Sequence, residues 1–200
     1  MYYVCIVNRN KMEKIKKLSV KERVIEAASR LFYQEGYNQT GINQIISEAS
    51  VAKASMYQHF RSKEDIAVAY LQERHIRWMG NLNHFVAKKA NGKDKLVGSF
   101  DYLLHWLEDV DYRGCGFQNI ICDIPLDHQK IKDQVQLHKS DLRDWIHKLI
   151  KEAYSIPEKE AEALGDEILV LQEGAIILSQ IQKESWPIST AKITAQKVLA

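Results

Sequence analysis

A short segment that begins at Lys53 carries side chains suited to reading the edges of DNA bases. An ammonium group can donate to guanine or phosphate, a methyl group can contact thymine, and a carboxamide can pair with adenine. If the segment is a helix, its other face carries Met56 and Phe60, which are apolar and would pack against a neighbouring helix. The candidate base-reading residues are Lys53, Ala54, Ser55 and Gln58.

Polar residues that flank this segment suit the phosphate backbone, because hydroxyl, imidazole and ammonium groups can donate to phosphate oxygens. For Tyr57 and His59, packing between helices is the alternative interpretation. Asn43 is a weaker candidate for a DNA contact. The candidate backbone contacts are Thr40, Tyr57, His59 and Lys63.

Sequence signals for catalysis are missing from the chain. It has no glycine-rich phosphate loop, no paired-histidine metal motif and no serine nucleophile elbow. We therefore expect no catalytic residue, no metal and no cofactor, and we do not expect an enzyme. A helical enzyme that binds a small molecule and a helical adaptor without DNA binding remain the alternatives. The histidines are scattered without ligand spacing, at His75, His84, His105, His128, His138 and His147.

The charge of the chain is unevenly distributed. The whole chain carries a formal net charge of +2. Up to Lys63 it has eleven basic and five acidic residues, which is +6, and the remainder has seventeen basic and twenty-one acidic residues, which is −4. A basic N-terminal third joined to an acidic body is typical of a protein in which one domain meets phosphates. A solvated lysine-rich leader at Lys11–Lys17 is the simpler explanation for part of this charge.

The elements that would position these residues are helices. Only three prolines and nine glycines interrupt 200 residues, and apolar residues recur at helical intervals, so we predict an all-α fold of about nine helices. Ser19 and Glu22 form a capping box before the first helix. Thr40 can cap a second short helix, a third ends near Phe60, and Ser62 opens a long connecting helix.

Three short helices with a tight turn between the last two are typical of a helix-turn-helix. The predicted domains are an N-terminal extension at 1–18, a helix-turn-helix DNA-binding domain at 19–67, and a helical ligand-binding and dimerisation domain at 68–200. Because Met12 also precedes the DNA-binding domain, either Met1 or Met12 could be the natural start.

The stretch from Leu31 to Ala67, LFYQEGYNQTGINQIISEASVAKASMYQHFRSKEDIA, resembles the DNA-binding domain of the TetR family. That family's pattern places an aromatic residue and Gly at the end of the first helix, then Thr, then a run like A-G-V-S-K-G-T-L-Y-x-H-F-x-S-K-E. Ser55 and Met56 match this run by type. The identical positions are Ala49, Val51, Lys53, Tyr57, His59, Phe60, Ser62, Lys63 and Glu64.

The chain departs from the family pattern at several positions. Ser50, Val51 and Ala52 stand where the family usually has Gly-Val-Ser, so the hydroxyl that commonly caps the recognition helix is missing. Loss of such a cap costs about 1 kcal/mol, although Ser50 or a DNA phosphate could substitute. Gly41 and Asn43 lie where the family often has a small hydroxyl residue and Arg, which weakens the case for base reading by the second helix.

The resemblance implies a homodimeric repressor that binds a palindromic double-stranded DNA operator and is released by a small-molecule effector. Family members hold the effector among the middle helices and dimerise through the last two long helices. The candidate effector-binding residues are Trp106, Phe117, Gln118, Asn119, Cys122, Trp145 and Gln172. The candidate dimer-interface residues are Leu171, Gly174, Ala175, Leu178, Ser179 and Ile193. Burial in the chain's own core is the alternative for both sets.

A membrane span is not expected, because the longest stretch without Asp, Glu, Lys or Arg, residues 36–47, is rich in Asn, Gln and Thr. A signal peptide is not expected, because Met1–Val7 is a short apolar stretch without a basic leader. An odd number of cysteines without paired spacing fits a reducing compartment, so we expect a cytoplasmic protein. Cys115 and Cys122 lie seven positions apart in the sequence. They could form a thiol sensor, although ordinary packing is the usual role of cysteine.

Overall fold

The computed structural model describes residues 18–200, and within this range the chain forms nine α-helices. Cys5, the lysine-rich leader and both possible start methionines lie outside the described residues. The helices are α1 (Val20–Gln34), α2 (Ile42–Glu48), α3 (Lys53–His59), α4 (Lys63–Val86), α5 (Gly92–Asp109), α6 (Gly116–Asp123), α7 (Gln129–Ala153), α8 (Glu158–Gln182) and α9 (Trp186–Val198). The predicted all-α fold is confirmed.

Helix boundaries follow local chemistry that the sequence already displays. The Ser19 side chain accepts from the backbone N–H of Glu22, whose carboxylate accepts in return, which confirms the predicted capping box. The Ser62 hydroxyl accepts from the backbone N–H of Asp65 at the start of α4. Asn91 caps α5 by accepting from the backbone N–H of Asp94. Side-chain acceptors therefore begin three of the helices by pairing N–H groups that lack a partner within the helix.

The chain divides into two compact units. The first contains the described residues up to Arg74 together with Gly116–Val135, and the second contains His75–Cys115 and Gln136–Ala200. Helices α4 and α7 therefore contribute residues to both units. The first unit is not continuous in sequence, because α6 and the start of α7 join the three N-terminal helices.

The core of the first unit is built around aromatic residues. The Phe32 ring lies 5.3 Å from Tyr37 and 5.9 Å from Tyr70 between centroids, and all three residues are buried. Helix α6 packs against α1 and buries Phe117 and Ile120. The helix-turn-helix thus shares its core with a segment that lies far from it in sequence.

The core of the second unit forms where α5, α8 and α9 pack together. A buried hydrogen bond of 2.7 Å joins Gln172 Nε2, the donor, to Ser99 Oγ. The Ser99 hydroxyl in turn donates to the Leu96 carbonyl within α5. Because both polar groups are paired, their burial avoids the cost of an unsatisfied donor. No helix within residues 18–200 combines the length and apolar character needed to cross a membrane.

Candidate DNA-binding surface

Helices α2 and α3 form a helix-turn-helix through a tight turn at residues 49–52. Ser50 in this turn has φ of 51°, in the left-handed region that favours glycine. The Arg23 guanidinium, on α1, donates to the carbonyls of Ala49 at 3.3 Å and Ser50 at 2.9 Å. The turn is thus held from α1, a contact that the sequence analysis did not predict.

Helix α3 has one buried face and one exposed face. Met56 has no exposed surface and Phe60 is 4% exposed, so the two residues predicted to pack inward do so. On the other face, five candidates for base or backbone contacts are exposed. One of them is Tyr57, which is 43% exposed. Ser55 is half-buried. The exposed candidates on α3 are Lys53, Ala54, Tyr57, Gln58 and His59.

The recognition helix begins without a side-chain cap. Its N-cap residue is Ala52, whose side chain accepts no hydrogen bond from the first turn. Lys53 follows at the first helical position and is exposed. The free N–H groups at this end of α3 are therefore available to a phosphate, which the partial positive charge of a helix N-terminus attracts.

Thr40 takes a different role from the one predicted. It is fully buried, and its hydroxyl donates to the Gly36 carbonyl at 2.7 Å. The N-cap of α2 is Gly41, one residue later, so the predicted cap at Thr40 is wrong. Because the hydroxyl is buried and occupied inside the turn between α1 and α2, it is not available to a phosphate. Asn43 is exposed on the first turn of α2.

Lys63 also turns towards the interior of its own unit. Its ammonium donates to the carbonyls of Tyr37 at 3.0 Å and Thr40 at 3.2 Å, and it lies 4.1 Å from the centroid of the Tyr37 ring. Burial lowers the pKa of Lys63, and the nearby Asp123 carboxylate partly opposes this by raising it. Lys63 therefore supports the α1–α2 turn with two of its three N–H donors. A phosphate contact by the third donor stays a prediction.

A sequence profile described as "Bacterial regulatory proteins, tetR family" matches residues 24–70. This range contains α2, α3, most of α1 and the start of α4. The chain belongs to the tetR family. Because the structure contains the helix-turn-helix, this TetR-family chain is a DNA-binding transcriptional regulator.

Relatives support the assignment over most of the TetR-family chain. It is 26% identical over 182 residues to the HTH-type transcriptional regulator LmrA of Bacillus subtilis (strain 168), covering 84% of this chain and 90% of LmrA. It is 23% identical over 128 residues to the HTH-type transcriptional repressor NemR of Escherichia coli (strain K12), covering 62% of this chain and 64% of NemR. Its fold matches SCO4454, a TetR-family transcriptional regulator from Streptomyces coelicolor, with a TM-score of 0.80 and 22% identity, covering 90% of this chain and 94% of that chain.

The predicted effector residues of this TetR-family chain are divided between its two units. Phe117, Gln118, Asn119 and Cys122 belong to the first, and Trp106, Trp145 and Gln172 to the second. Phe117 is buried, Cys122 is exposed, and the Gln172 amide is already paired with a serine hydroxyl. The Trp145 ring N–H donates to Asn83 Oδ1 at 2.9 Å. The placement of an effector among these residues stays a prediction.

A band of exposed apolar residues covers one side of α8 and α9 in the TetR-family chain. Of the predicted interface residues, Gly174, Leu178 and Ile193 are exposed and Leu171 is half-buried. Ala175 and Ser179 are 5% and 0% exposed, so they face the core of their own chain and do not belong to this band. Further members, which the sequence analysis missed, are Val170, Ile177, Ile181 and Trp186.

Proposed function

We propose that this chain is a repressor that binds a palindromic DNA operator as a homodimer and is released by a small-molecule effector. The observation that carries the proposal is the presence of two different exposed surfaces in one chain. One is the polar face of α3, and the other is the apolar band on α8 and α9. The first suits a groove of DNA, and the second suits a copy of itself.

The apolar band supports a dimer because soluble chains rarely leave large apolar side chains exposed together. Val170 is 70% exposed, Ile181 is 67% exposed and Ile193 is 54% exposed. Gly174 lies within the band, and a Cβ added to it would meet no heavy atom within 4 Å. A small residue in open space allows a second helix to approach closely, as a four-helix interface requires.

A repressor role is supported by the name of NemR, which is described as a transcriptional repressor. A two-fold dimer fixes the separation of its two recognition helices, so its natural target is a palindrome with matching half-site spacing. An effector that binds the free form better than the DNA-bound form must lower the affinity for DNA. By linkage, DNA lowers the affinity for the effector by the same factor.

The first experiment identifies the operator by sequencing the genomic DNA fragments that the purified protein retains. Fluorescence anisotropy then measures the affinity for the full palindrome, a single half-site and an unrelated duplex, each at two salt concentrations. We expect the palindrome to bind at least about 10³-fold more tightly than the unrelated duplex at physiological salt. We also expect the affinity to fall steeply as salt rises.

Two outcomes would contradict the proposal. Equal affinity for the palindrome and the unrelated duplex would show that the protein does not recognise a specific operator sequence. Equal affinity for the palindrome and the half-site, with one protein chain per duplex, would remove the dimer. Addition of candidate small molecules to the preformed complex tests release, because an effector must lower the affinity for the palindrome by about 5- to 150-fold.

A further inference from the structure

The contacts that hold the turn between α1 and α2, residues 35–41, include three sets of hydrogen bonds. Within the turn, the Thr40 hydroxyl donates to the Gly36 carbonyl. From the start of α4, the Lys63 ammonium donates to the Tyr37 and Thr40 carbonyls. The third contact comes from Asp123, the last residue of α6. It joins the turn to a segment outside the helix-turn-helix, as does the Tyr37 ring through its edge contact with the His128 ring at 5.4 Å.

Asp123 contacts the turn through both its side chain and its backbone. The backbone N–H of Asn38 donates to Asp123 Oδ2 at 2.9 Å, and the Asn38 side-chain amide donates to the Asp123 carbonyl. We call this pair of hydrogen bonds the Asp123 clamp. Asn38 and Asp123 are 85 positions apart in the sequence. The clamp therefore exists only when α6 is packed against α1.

Gly36 allows this docking at short range. Its φ is +96°, and a Cβ built on it would lie 2.9 Å from Asp123 Oδ2, closer than real Cβ atoms approach. A side chain at this position would therefore push the carboxylate away. The other end of α6 is fitted equally closely, because a Cβ on Gly116 would lie 2.7 Å from the Tyr70 hydroxyl oxygen.

The clamp also completes the charge balance around the turn. The partly buried Lys63 ammonium is a cation whose burial is unfavourable, and the Asp123 carboxylate is the nearby charge that opposes this effect. The turn ends at Gly41, which is the N-cap of α2. Its position consequently sets where α2 begins, and α2 packs against the recognition helix α3.

We propose that Asp123 is a positioning residue for DNA binding, which holds the α1–α2 turn from α6 and thereby places α2 and α3 for the operator. The DNA-reading unit is thus incomplete without α6, although α6 lies outside the helix-turn-helix. This inference rests on the proposed function, because operator affinity is one of its readouts. The physical basis is preorganisation: without the clamp, binding must first restore the position of the turn.

The test uses the full-length protein and compares four variants. Asp123→Ala removes the acceptor, whereas Asp123→Asn keeps an oxygen that can accept from the Asn38 N–H. Asn38→Ala weakens the clamp from an exposed position that leaves no cavity. The control is Asp133→Ala, which removes the same charge from an exposed residue of the same unit.

Charge and positioning make opposite predictions for Asp123→Ala. Removal of a negative charge by itself strengthens binding to the DNA polyanion, and Asp133→Ala should show this small gain or no change. Loss of the clamp should instead weaken operator binding about 10- to 100-fold, the range that corresponds to one hydrogen bond to a charged group. Asn38→Ala should weaken it about 2- to 10-fold, as for a neutral hydrogen bond. Asp123→Asn should lie between the parent and Asp123→Ala, because it keeps the hydrogen bond but replaces the charged acceptor by a neutral one.

Hydrogen–deuterium exchange of the peptide that covers residues 36–41 provides a readout independent of DNA. We expect faster exchange in Asp123→Ala and Asn38→Ala, a smaller increase in Asp123→Asn, and parental exchange in Asp133→Ala. Parental operator affinity in both Asp123→Ala and Asn38→Ala would overturn the inference. If Asp123→Ala does not fold, Asn38→Ala alone decides. A parental protein that binds no DNA, with the exchange pattern as expected, would instead overturn the proposed function and leave the clamp in place.

Discussion

Replacement of Ser50 by glycine should stabilise the protein. Ser50 adopts φ of 51° in the turn of the helix-turn-helix, and its side chain is exposed. A left-handed conformation brings the Cβ of an L-residue close to the following carbonyl oxygen, and glycine has no Cβ. The contact that Arg23 makes in this turn uses the Ser50 carbonyl, which glycine retains.

The expected gain is a difference between two opposing effects. The left-handed conformation costs an ordinary L-residue about 1–2 kcal/mol. Glycine removes this cost but adds an entropic cost of about 0.5–1 kcal/mol, because a glycine residue loses more conformational entropy on folding. At the midpoints of these two ranges, the net stabilisation is about 0.75 kcal/mol. For a chain of this length, such a change raises the melting temperature by roughly 1–4 °C.

The assay is a thermal melt followed by circular dichroism, at one fixed protein concentration because the stability of the proposed dimer would depend on concentration. The matched control is Ser140→Gly, the same substitution at an exposed position within helix α7. Glycine in a helix interior is less favourable than serine, so the control should lose about 0.5 kcal/mol. The reasoning would be refuted if Ser50→Gly lowered the melting temperature, or if both variants shifted it in the same direction.

Three further predictions concern base reading, the dimer and acid stability. Gln58→Ala should relax the preference for a base at one operator position by about 1–3 kcal/mol, and unchanged preferences in a binding selection would remove Gln58 from the contacts. Gly174→Trp should give a folded monomer in sedimentation velocity, whereas Gly80→Trp, at a helix glycine with equally open surroundings, should stay dimeric; a dimeric Gly174→Trp would move the interface elsewhere. A hydrogen bond from Arg143 is the main cause that lowers the pKa of Asp166 to about 2, from an ordinary 3.8. Because the pKa of Asp166 is lower in the folded state, its carboxylate should stabilise the fold above about pH 4 and lose this effect as pH falls towards 2. The free energy of unfolding of Asp166→Asn, measured by chemical denaturation, should therefore depend less on pH over that range than that of the parent.

The sequence was sufficient to predict the helices and the family because these depend on local chemistry. The Ser19 capping box and the inward-facing Met56 are both read directly from spacing, and both are confirmed. The exposed face of α3 follows from the same periodicity, since residues that do not pack inward must point outward. For the long apolar helix α8, by contrast, periodicity could not separate the two faces. Ala175 and Ser179 were therefore assigned to the interface, although they lie in the core.

Contacts between distant segments required the tertiary structure. A lysine at a helix start and a threonine before a helix have the same sequence signature whether they meet phosphate or a backbone carbonyl. Only the fold shows that Lys63 and Thr40 are occupied inside the α1–α2 turn. No spacing rule relates Asn38 to Asp123, because their contact depends on the return of α6 to the first unit. Local sequence thus determined which elements form and which chemistry they carry, and long-range packing decided which polar groups remain free to meet DNA.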